Sequence, residues 1–310
     1  MKILLLGANG FAGKNVSEVL KNNKIHFEKI DGKATCDLRD RAATLNYFKQ
    51  VDPTMIVNCA AHVGSLNYVT EMAADVVSDN MLMIDSIYKA IANINRKIIL
   101  INPIANCAYP ANLDTFKEDD WWNGHLHRSV LSYGSTRRMM WCYGESFFMQ
   151  YRIKTINLLV PNMYGPEDTT DPNKAHALNA LVSKFVKAEK EEKSEIEIWG
   201  TGIAIREWLY AADFAKIIFE ITQNPNMVGL SQPINIAQNY GISVCELAQI
   251  INQYFEKKFQ IKWDSNMPDG APKKVMDDLN FKKVFPEFKF TDFDFGIKET
   301  IKYYQSIYPY

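Results

Sequence analysis

Three glycines near the start of the chain are the first residues whose spacing implies chemistry. Gly7, Gly10 and Gly13 form a Gly-x-x-Gly-x-x-Gly turn that also holds Asn9 and Phe11. The turn follows a short apolar run, Met1–Leu6, and precedes a helical stretch, Lys14–Lys21. In that context glycines let the backbone turn tightly and approach a pyrophosphate, whose charge then sits at a helix N-terminus. Dinucleotide sites of this kind place a carboxylate after the second strand when the ribose is unmodified, and a cation when it carries a 2′-phosphate. Here the second apolar run, His26–Ile30, ends at Asp31, with Lys33 two residues further on. An aspartate accepts from a 2′-hydroxyl and repels a phosphate, so NAD is favoured over NADP. Asp37, in Cys36-Asp37-Leu38-Arg39-Asp40, either meets the adenine or caps the next helix.

Other reactive residue types are scattered. Cys36, Cys59, Cys107, Cys142 and Cys245 are odd in number and lack C-x-x-C spacing. They read as free thiols in a reducing cytoplasm, four of them simply buried, and not as disulfides or a zinc site. His125 and His127 alternate in a tryptophan-rich insert, Trp121–His127. Without a carboxylate partner they read as a surface loop, and no metal is expected.

The elements that must position these residues follow a βαβα rhythm. Strand-like runs at Lys2–Leu6, His26–Ile30, Met55–Asn58, Lys97–Ile101 and Thr155–Val160 alternate with helical patterns at Lys14–Lys21, Arg41–Gln50, Asp75–Ile94 and Thr136–Tyr151. This predicts an α/β fold, a Rossmann-type doubly wound parallel sheet over residues 1–165 that also takes in part of 205–240. Residues 166–310 form a smaller α/β substrate-binding region. It begins with a polar loop, Asp168–Lys174, and a helix, Ala175–Glu192. Strands are expected at Ile196–Trp199, Glu207–Tyr210 and Pro233–Ile236, a helix with a Ser243/Glu246 capping box at Ser243–Phe255, and a last amphipathic helix at Ile297–Tyr308.

Composition excludes several function classes. The 310 residues are 47% hydrophobic, ample for a large core. A net charge of -1 and a pI near 6.5 give no footprint for nucleic acid or an anionic membrane. No apolar run reaches the length of a membrane span, and no signal peptide is visible. A cytoplasmic enzyme is the expectation.

Further segments now carry a resemblance. They are Asn58-Cys59-Ala60-Ala61-His62-Val63-Gly64-Ser65, Asn80, Cys107-Ala108-Tyr109-Pro110, Tyr133-Gly134-Ser135-Thr136-Arg137 and Pro161-Asn162-Met163-Tyr164-Gly165-Pro166. They continue with His176, Trp199-Gly200-Thr201-Gly202, Arg206-Glu207 and Pro268-Asp269-Gly270-Ala271-Pro272-Lys273-Lys274. In order and over nearly the whole chain, these resemble the extended short-chain dehydrogenase/reductases, and within them the GDP-L-fucose synthase subfamily. That resemblance implies a GDP-linked 4-keto sugar as substrate, epimerised beside the ketone and reduced at C4, and a homodimer formed through the helices Asp75–Ile94 and Thr136–Tyr151. Met139, Met140 and Trp141 are the apolar residues available for that interface.

The resemblance assigns roles residue by residue. Tyr133 matches the tyrosine that exchanges a proton with the sugar oxygen, a role that needs a nearby cation because a phenol near pKa 10 is a poor base at neutral pH. The family lysine is Arg137, which supplies charge and a donor for a ribose hydroxyl but cannot readily relay a proton. The family serine is Ala105, so only the Asn106 amide remains as a side-chain donor for the substrate oxygen. Cys107 and His176 match the epimerisation pair. Asn162, His176, Trp199, Arg206 and Lys274 match substrate-binding positions, cations suiting a diphosphate. Gly7, Asn9, Gly10, Phe11, Gly13, Asp31, Asp37, Ala60, Tyr133 and Arg137 match cofactor positions. The subfamily has arginines where this chain has Asn9 and Asp31, which again points to NAD. Three readings follow: an NAD(H)-dependent epimerase or C4 oxidoreductase on a GDP-hexose or GDP-heptose, an epimerase or dehydrogenase that holds NAD tightly without net reduction, or a GDP-sugar-binding protein without catalysis.

Overall fold

Alternation in the first strand decides the layers. In β1 (Ile3–Leu6), Ile3 and Leu5 point to one face of a sheet and Leu4 and Leu6 to the other, all four fully buried. A strand buried on both sides needs helices above and below. The computed structural model describes residues 1–94, 97–171, 174–228, 232–267 and 269–310. Pro172 and Asn173 of the expected polar loop, and Pro268 of the Pro-Asp-Gly segment, lie outside the described residues.

The first half runs β1, α1 (Phe11–Asn22), β2 (Phe27–Ile30), α2 (Arg41–Val51), β3 (Met55–Asn58), α3 (Leu66–Glu71), α4 (Ala73–Ile94), β4 (Ile99–Ala105), α5 (Leu131–Tyr151) and β5 (Lys154–Val160). The second runs β6 (Asn162–Tyr164), α6 (Ala177–Lys190), β7 (Glu195–Trp199), β8 (Ile205–Arg206), β9 (Trp208–Tyr210), α7 (Ala211–Gln223), β10 (Ile234–Asn235), β11 (Ile242–Ser243), α8 (Val244–Gln253), β12 (Gln260–Asp264), β13 (Lys273–Lys274), α9 (Leu279–Val284) and α10 (Phe293–Ile307).

Six strands make one parallel sheet in the order β2-β1-β3-β4-β5-β10. The doubly wound α/β fold expected from the βαβα rhythm is therefore present. Ile3, Leu5, Met55 and Val57 pack with Val16 and Leu20 of α1 and Phe214, Ile217 and Ile221 of α7. On the other face, Leu4, Leu6 and Ile56 pack with Phe48 of α2, Ile84, Ile87 and Ile91 of α4, and Met140 and Trp141 of α5. Each such side chain contributes about 2 kcal/mol by leaving water. The strand order reverses between β1's two neighbours, β2 and β3, and such a switch point opens a crevice at the strands' C-terminal ends.

A third apolar cluster belongs to the later residues. Leu178, Phe185, Ile196, Ile198, Trp208, Leu247, Ile251, Ile297 and Tyr304 pack around β7, α6, α8 and α10. The capping box of α8 forms as expected, with the Ser243 hydroxyl accepting from Glu246 N at 3.1 Å and Glu246 Oε2 from Ser243 N at 2.8 Å.

Four expectations are corrected. The helix expected from Thr136 starts at Leu131, because no cap or proline interrupts the turn before it, so Tyr133 lies inside its first turn. Asp37 does not cap α2; Asp40 does, accepting from Ala42 and Ala43 N at 2.8 and 3.0 Å. Of the thiols read as buried, only Cys36 is, and all five cysteines are free. Met140 and Trp141 are enclosed in their own protomer's core at 1% and 8% exposure, so of the three residues set aside for an interface only Met139 is exposed. The helix α7 and the short pieces α3, α9, β8, β11, β12 and β13 carry no sequence expectation.

Candidate functional site

The glycine turn is fixed by contacts to backbone. A Cβ on Gly7, whose φ is +71°, would stand 2.7 Å from Ala60 N, and one on Gly13 would stand 2.1 Å from Gly7 O. Gly10 is different: its Cβ would meet only Gly7 O at 3.3 Å. Two glycines thus let β1, Ala60 and α1 close together, while Gly10 and the exposed Asn9 face outward. Gly10 is the N-cap of α1 and contributes no side-chain cap, and the first turn holds no acidic residue. The uncapped N–H groups and the missing side chains fit a pyrophosphate.

At the end of β2, Asp31 accepts from Lys29 Nζ at 3.1 Å and from the Thr35 hydroxyl. These hydrogen bonds hold its carboxyl below the usual carboxylate range. Lys33 is exposed. Asp37 takes Arg39 Nη2 at 2.6 Å, which lowers its pKa to about 2. Arg39 also reaches Asp79 at 3.0 Å, Asp79 reaches His62 Nδ1 at 3.0 Å, and His62 Nε2 meets the Tyr68 hydroxyl at 2.8 Å. Every charge in this chain of contacts has a partner.

Asn80 joins that chain to the expected catalytic residues. Its Oδ1 accepts from His62 N at 3.2 Å and from Arg137 Nη2 at 2.7 Å. Arg137 is buried, and its guanidinium carbon lies 4.9 Å from the centre of the Tyr133 ring. Burial pushes the Tyr133 phenol up, Arg137 pulls it down, and the net result is upward. Cys107 sits in the turn Asn106–Ala108 at the end of β4, against α5: a Cβ on Gly134 would stand 3.0 Å from Cys107 O. Burial pushes its thiol up, while Lys274 and Arg137 pull the other way. Asn106 is 3% exposed and its Nδ2 has no hydrogen-bond partner among the described residues. Tyr133, Arg137, Asn106 and Cys107 are therefore brought together.

His176 approaches from the glycine turn. As the N-cap of α6 it packs on Phe11, ring centres 5.0 Å apart, and its Nδ1 lies 3.1 Å from the carboxylate of Asp168. Asp168 also accepts from His176 N and Asn179 Nδ2, both at 2.9 Å. Burial pushes the Asp168 carboxyl up, but His176 and Asn179 together keep it below its ordinary value. An ionised carboxylate only accepts, so Nδ1 carries the ring proton and Nε2 is the free nitrogen. Asp168 carries no sequence expectation beyond a polar loop; its place eight residues before His176 is the only signal.

The later strands gather the expected substrate cations. Arg206, in β8, donates to Ile205 O and Asp269 O, both at 2.8 Å. Burial lowers its pKa to about 10, with Asp269 acting the other way. Lys274, beside it in β13, is lowered by burial and by Arg206 and raised by Cys107. Among the described residues neither cation forms an ion pair. The Trp199 turn is tied in through Asp269, which accepts from Thr201 N at 2.8 Å. Trp199 is 47% exposed, with Lys184 Nζ 4.6 Å from its ring centre. Asn162 donates from Nδ2 to Glu207 O at 3.1 Å. His125 is exposed as expected, but His127 departs from the surface-loop reading: it is half-buried and lies where Lys274 and Arg206 depress its pKa, after burial itself.

Residues 3–237 match the NAD dependent epimerase/dehydratase family. The chain belongs to this family. Membership brings a nicotinamide dinucleotide, NAD or NADP, as cofactor, and places the protein among the extended short-chain dehydrogenase/reductases. The chain is 30% identical to GDP-L-colitose synthase of Yersinia pseudotuberculosis, over 98% of each chain. It superposes on a GDP-L-fucose synthetase from Naegleria fowleri with a TM-score of 0.86 at 25% identity, covering 99% of this chain and 94% of that one. A GDP-6-OMe-4-keto-L-xylo-heptose reductase from C. jejuni shares the fold, with a TM-score of 0.88 at 21% identity over 98% and 97% of the two chains. No helix among the described residues is long and apolar enough to cross a membrane.

Proposed function

We propose that this protein is an NAD(H)-dependent enzyme that acts on a GDP-linked 4-keto hexose or heptose, by epimerisation beside the ketone, redox at C4, or both. One observation carries the reading: Lys274, which among the described residues forms no ion pair, lies beside both Arg206 and Cys107, and Cys107 adjoins Tyr133 and Arg137. An anion-binding surface and a set of proton-exchanging groups are thus contiguous. The names of the similar proteins supply the sugar and the base.

In this reading Gly10 and the N-terminus of α1 hold the cofactor pyrophosphate, Phe11 and Ala60 flank it, and Asp31 takes the adenosine ribose, which favours NAD. Bound there, the dinucleotide would supply hydride chemistry at C4. Tyr133 passes the proton to or from the C4 oxygen, and Arg137, fixed by Asn80, provides the charge that eases ionisation of the phenol. Asn106 gives the C4 oxygen a hydrogen bond from its unpartnered amide, in place of the hydroxyl absent at Ala105. Cys107 and the Nε2 of His176 exchange the protons on carbons beside the ketone; Lys274 and Arg137 offset part of the cost of ionising the thiol. Arg206 and Lys274 bind the diphosphate, with Asn162 and Trp199 toward the sugar and the base. We further assign the protein to the cytoplasm, and to homodimers through α4 and α5, whose exposed Val77, Leu82 and Met139 would be covered.

The test is to incubate the protein with GDP-4-keto-6-deoxymannose and NADH or NADPH in heavy water. Product reduced at C4, or carrying deuterium at C3 or C5, supports the reading, with NADH the faster donor. Absence of both overturns it. Ala105 and Arg137 favour a second version, in which tightly held NAD serves without net reduction. Absorbance of reduced cofactor in the protein as purified distinguishes that version. If GDP-sugar binds, neither activity is detected and Tyr133→Phe changes nothing measurable, the protein binds the sugar nucleotide without this chemistry.

A further inference from the structure

We propose that His127 is a third ligand of the diphosphate, donating a hydrogen bond from Nε2 to one of its non-bridging oxygens beside Arg206 and Lys274. The proposal rests on the functional reading only in requiring a nucleoside diphosphate group, whatever its base.

The turn before α5 fixes the ring. His127 N-caps residues 128–130, where its Nδ1 accepts from Ser129 N at 3.3 Å and contacts the Ser129 hydroxyl at 2.7 Å. A nitrogen that accepts from a backbone N–H carries no proton, so in the neutral ring the proton is on Nε2. Among the described residues Nε2 has no hydrogen-bond partner. Burial, Lys274 and Arg206 all act to keep the ring neutral.

The surroundings close around the same point. Thr70 Oγ1 bonds to Ser129 O at 3.2 Å, so α3 is tied to the turn that carries His127. At the other end of α3, Leu66 lies 3.5 Å from where a Cβ on Gly270 would stand, and Arg206 Nη2 lies 3.4 Å from that point. The turn that carries His127 is therefore linked through α3 to Gly270 and Arg206. A neutral donor suits this place better than a third cation. It adds no repulsion to two neighbouring positive charges, yet it still supplies a hydrogen bond when a dianion arrives. The same two cations repel a metal ion, which removes that role for the His125/His127 pair.

The test compares His127→Asn with His127→Gln. Asparagine places an oxygen near the position of Nδ1 and keeps the cap, but offers nothing at Nε2. Glutamine reaches the Nε2 position with its amide N–H. GDP and UDP are titrated into the wild type and both variants, with NADH as a control for the cofactor site. His127→Asn is expected to weaken diphosphate binding roughly tenfold or more while NADH binding stays at the wild-type level, and His127→Gln is expected to recover most of the loss. Diphosphate affinity within about twofold of wild type in His127→Asn would overturn the proposal, as would equal losses for NADH or no recovery with glutamine. If the wild type binds UDP and not GDP, the base assignment above fails and the His127 comparison is read on UDP. A wild type that binds neither overturns both.

Discussion

The two ends of the crevice handle charge in opposite ways. At the end proposed for the ribose, Asp31, Asp37, Arg39 and Asp79 are all satisfied by neighbours: Lys29 and Thr35, Arg39, two carboxylates, and His62. At the end proposed for the sugar, Arg206 and Lys274 are partly buried side by side, Lys274 next to a thiol, with burial lowering both pKa values. Paired charges define a shape before anything binds. Unpaired, partly desolvated cations cost stability in the empty protein and strengthen the hold on an anion that replaces lost water. The first arrangement suits a cofactor that stays in place, and the second a substrate that comes and goes.

Tyr133→Phe should give the largest effect, because it removes an atom from the reaction and nothing from either charge arrangement. Turnover at C4 is expected to fall roughly 10²- to 10⁴-fold, with GDP-sugar affinity nearly unchanged. Single-turnover kinetics beside a binding titration separates the two. A fall in affinity equal to the fall in turnover would place Tyr133 with the binding cations instead.

Glu207 provides an acid counterpart to the unpaired cations. It is 1% exposed and, among the described residues, forms no ion pair: its oxygens accept from Gln238 N at 2.6 Å and Met276 N at 2.8 Å. Burial raises its pKa from 4.5 to about 7 despite those bonds. Between those two values the folded protein holds a proton that the unfolded chain has released, so stability falls as pH rises through that window and levels off above it. The contribution lost is about 3 kcal/mol. Denaturant melts of wild type and Glu207→Gln from pH 4.5 to 8 check it. The wild type should lose ground to the variant as pH rises, and parallel curves would mean that Glu207 titrates as an ordinary surface acid.

Lys274→Met tests the unpaired end itself. GDP binding is expected to weaken roughly 10- to 100-fold, while the ligand-free protein melts no earlier than wild type, since an uncompensated buried cation is gone. The ribose end should answer the other way. Arg39→Ala leaves Asp37 and Asp79 without the guanidinium that bridges them, so the ligand-free protein should melt earlier while GDP binding holds. If both variants behave alike, the contrast between the two ends is not one of pairing.

Much of this was legible in the chain because it depends on local backbone rules. The glycine turn, the apolar strand Ile3 to Leu6 and the Ser243/Glu246 box each act within a few residues, and each stands where the spacing put it. Helix α7 was missed because its apolar face packs across α1 and the sheet, a long-range fact with no cap to announce it. Asp168 and His127 were missed or misread for a related reason. Polar residues in loops acquire meaning only from what folds against them: His176 and Asn179 for the first, Lys274 and Arg206 for the second. Of the two readings open for Asp37, the helix cap falls away, because Asp40 stands directly before α2 and takes that role.

The smallest effect belongs to Asp31, and its smallness is informative. An isolated carboxylate after β2 would repel a 2′-phosphate strongly, but Lys29 Nζ lies 3.1 Å away and offsets part of that charge. Water screens the pair as well, since Lys29 is half exposed. Asp31→Asn is therefore expected to shift the preference for NADH over NADPH by only roughly two- to fivefold. Lys29→Ala should move it the other way, by exposing the full carboxylate charge to the cofactor. Titrations of both dinucleotides against both variants decide the matter. A large change with Asp31→Asn and none with Lys29→Ala would mean that Asp31 acts alone, and that the ribose end is less fully paired than its contacts indicate.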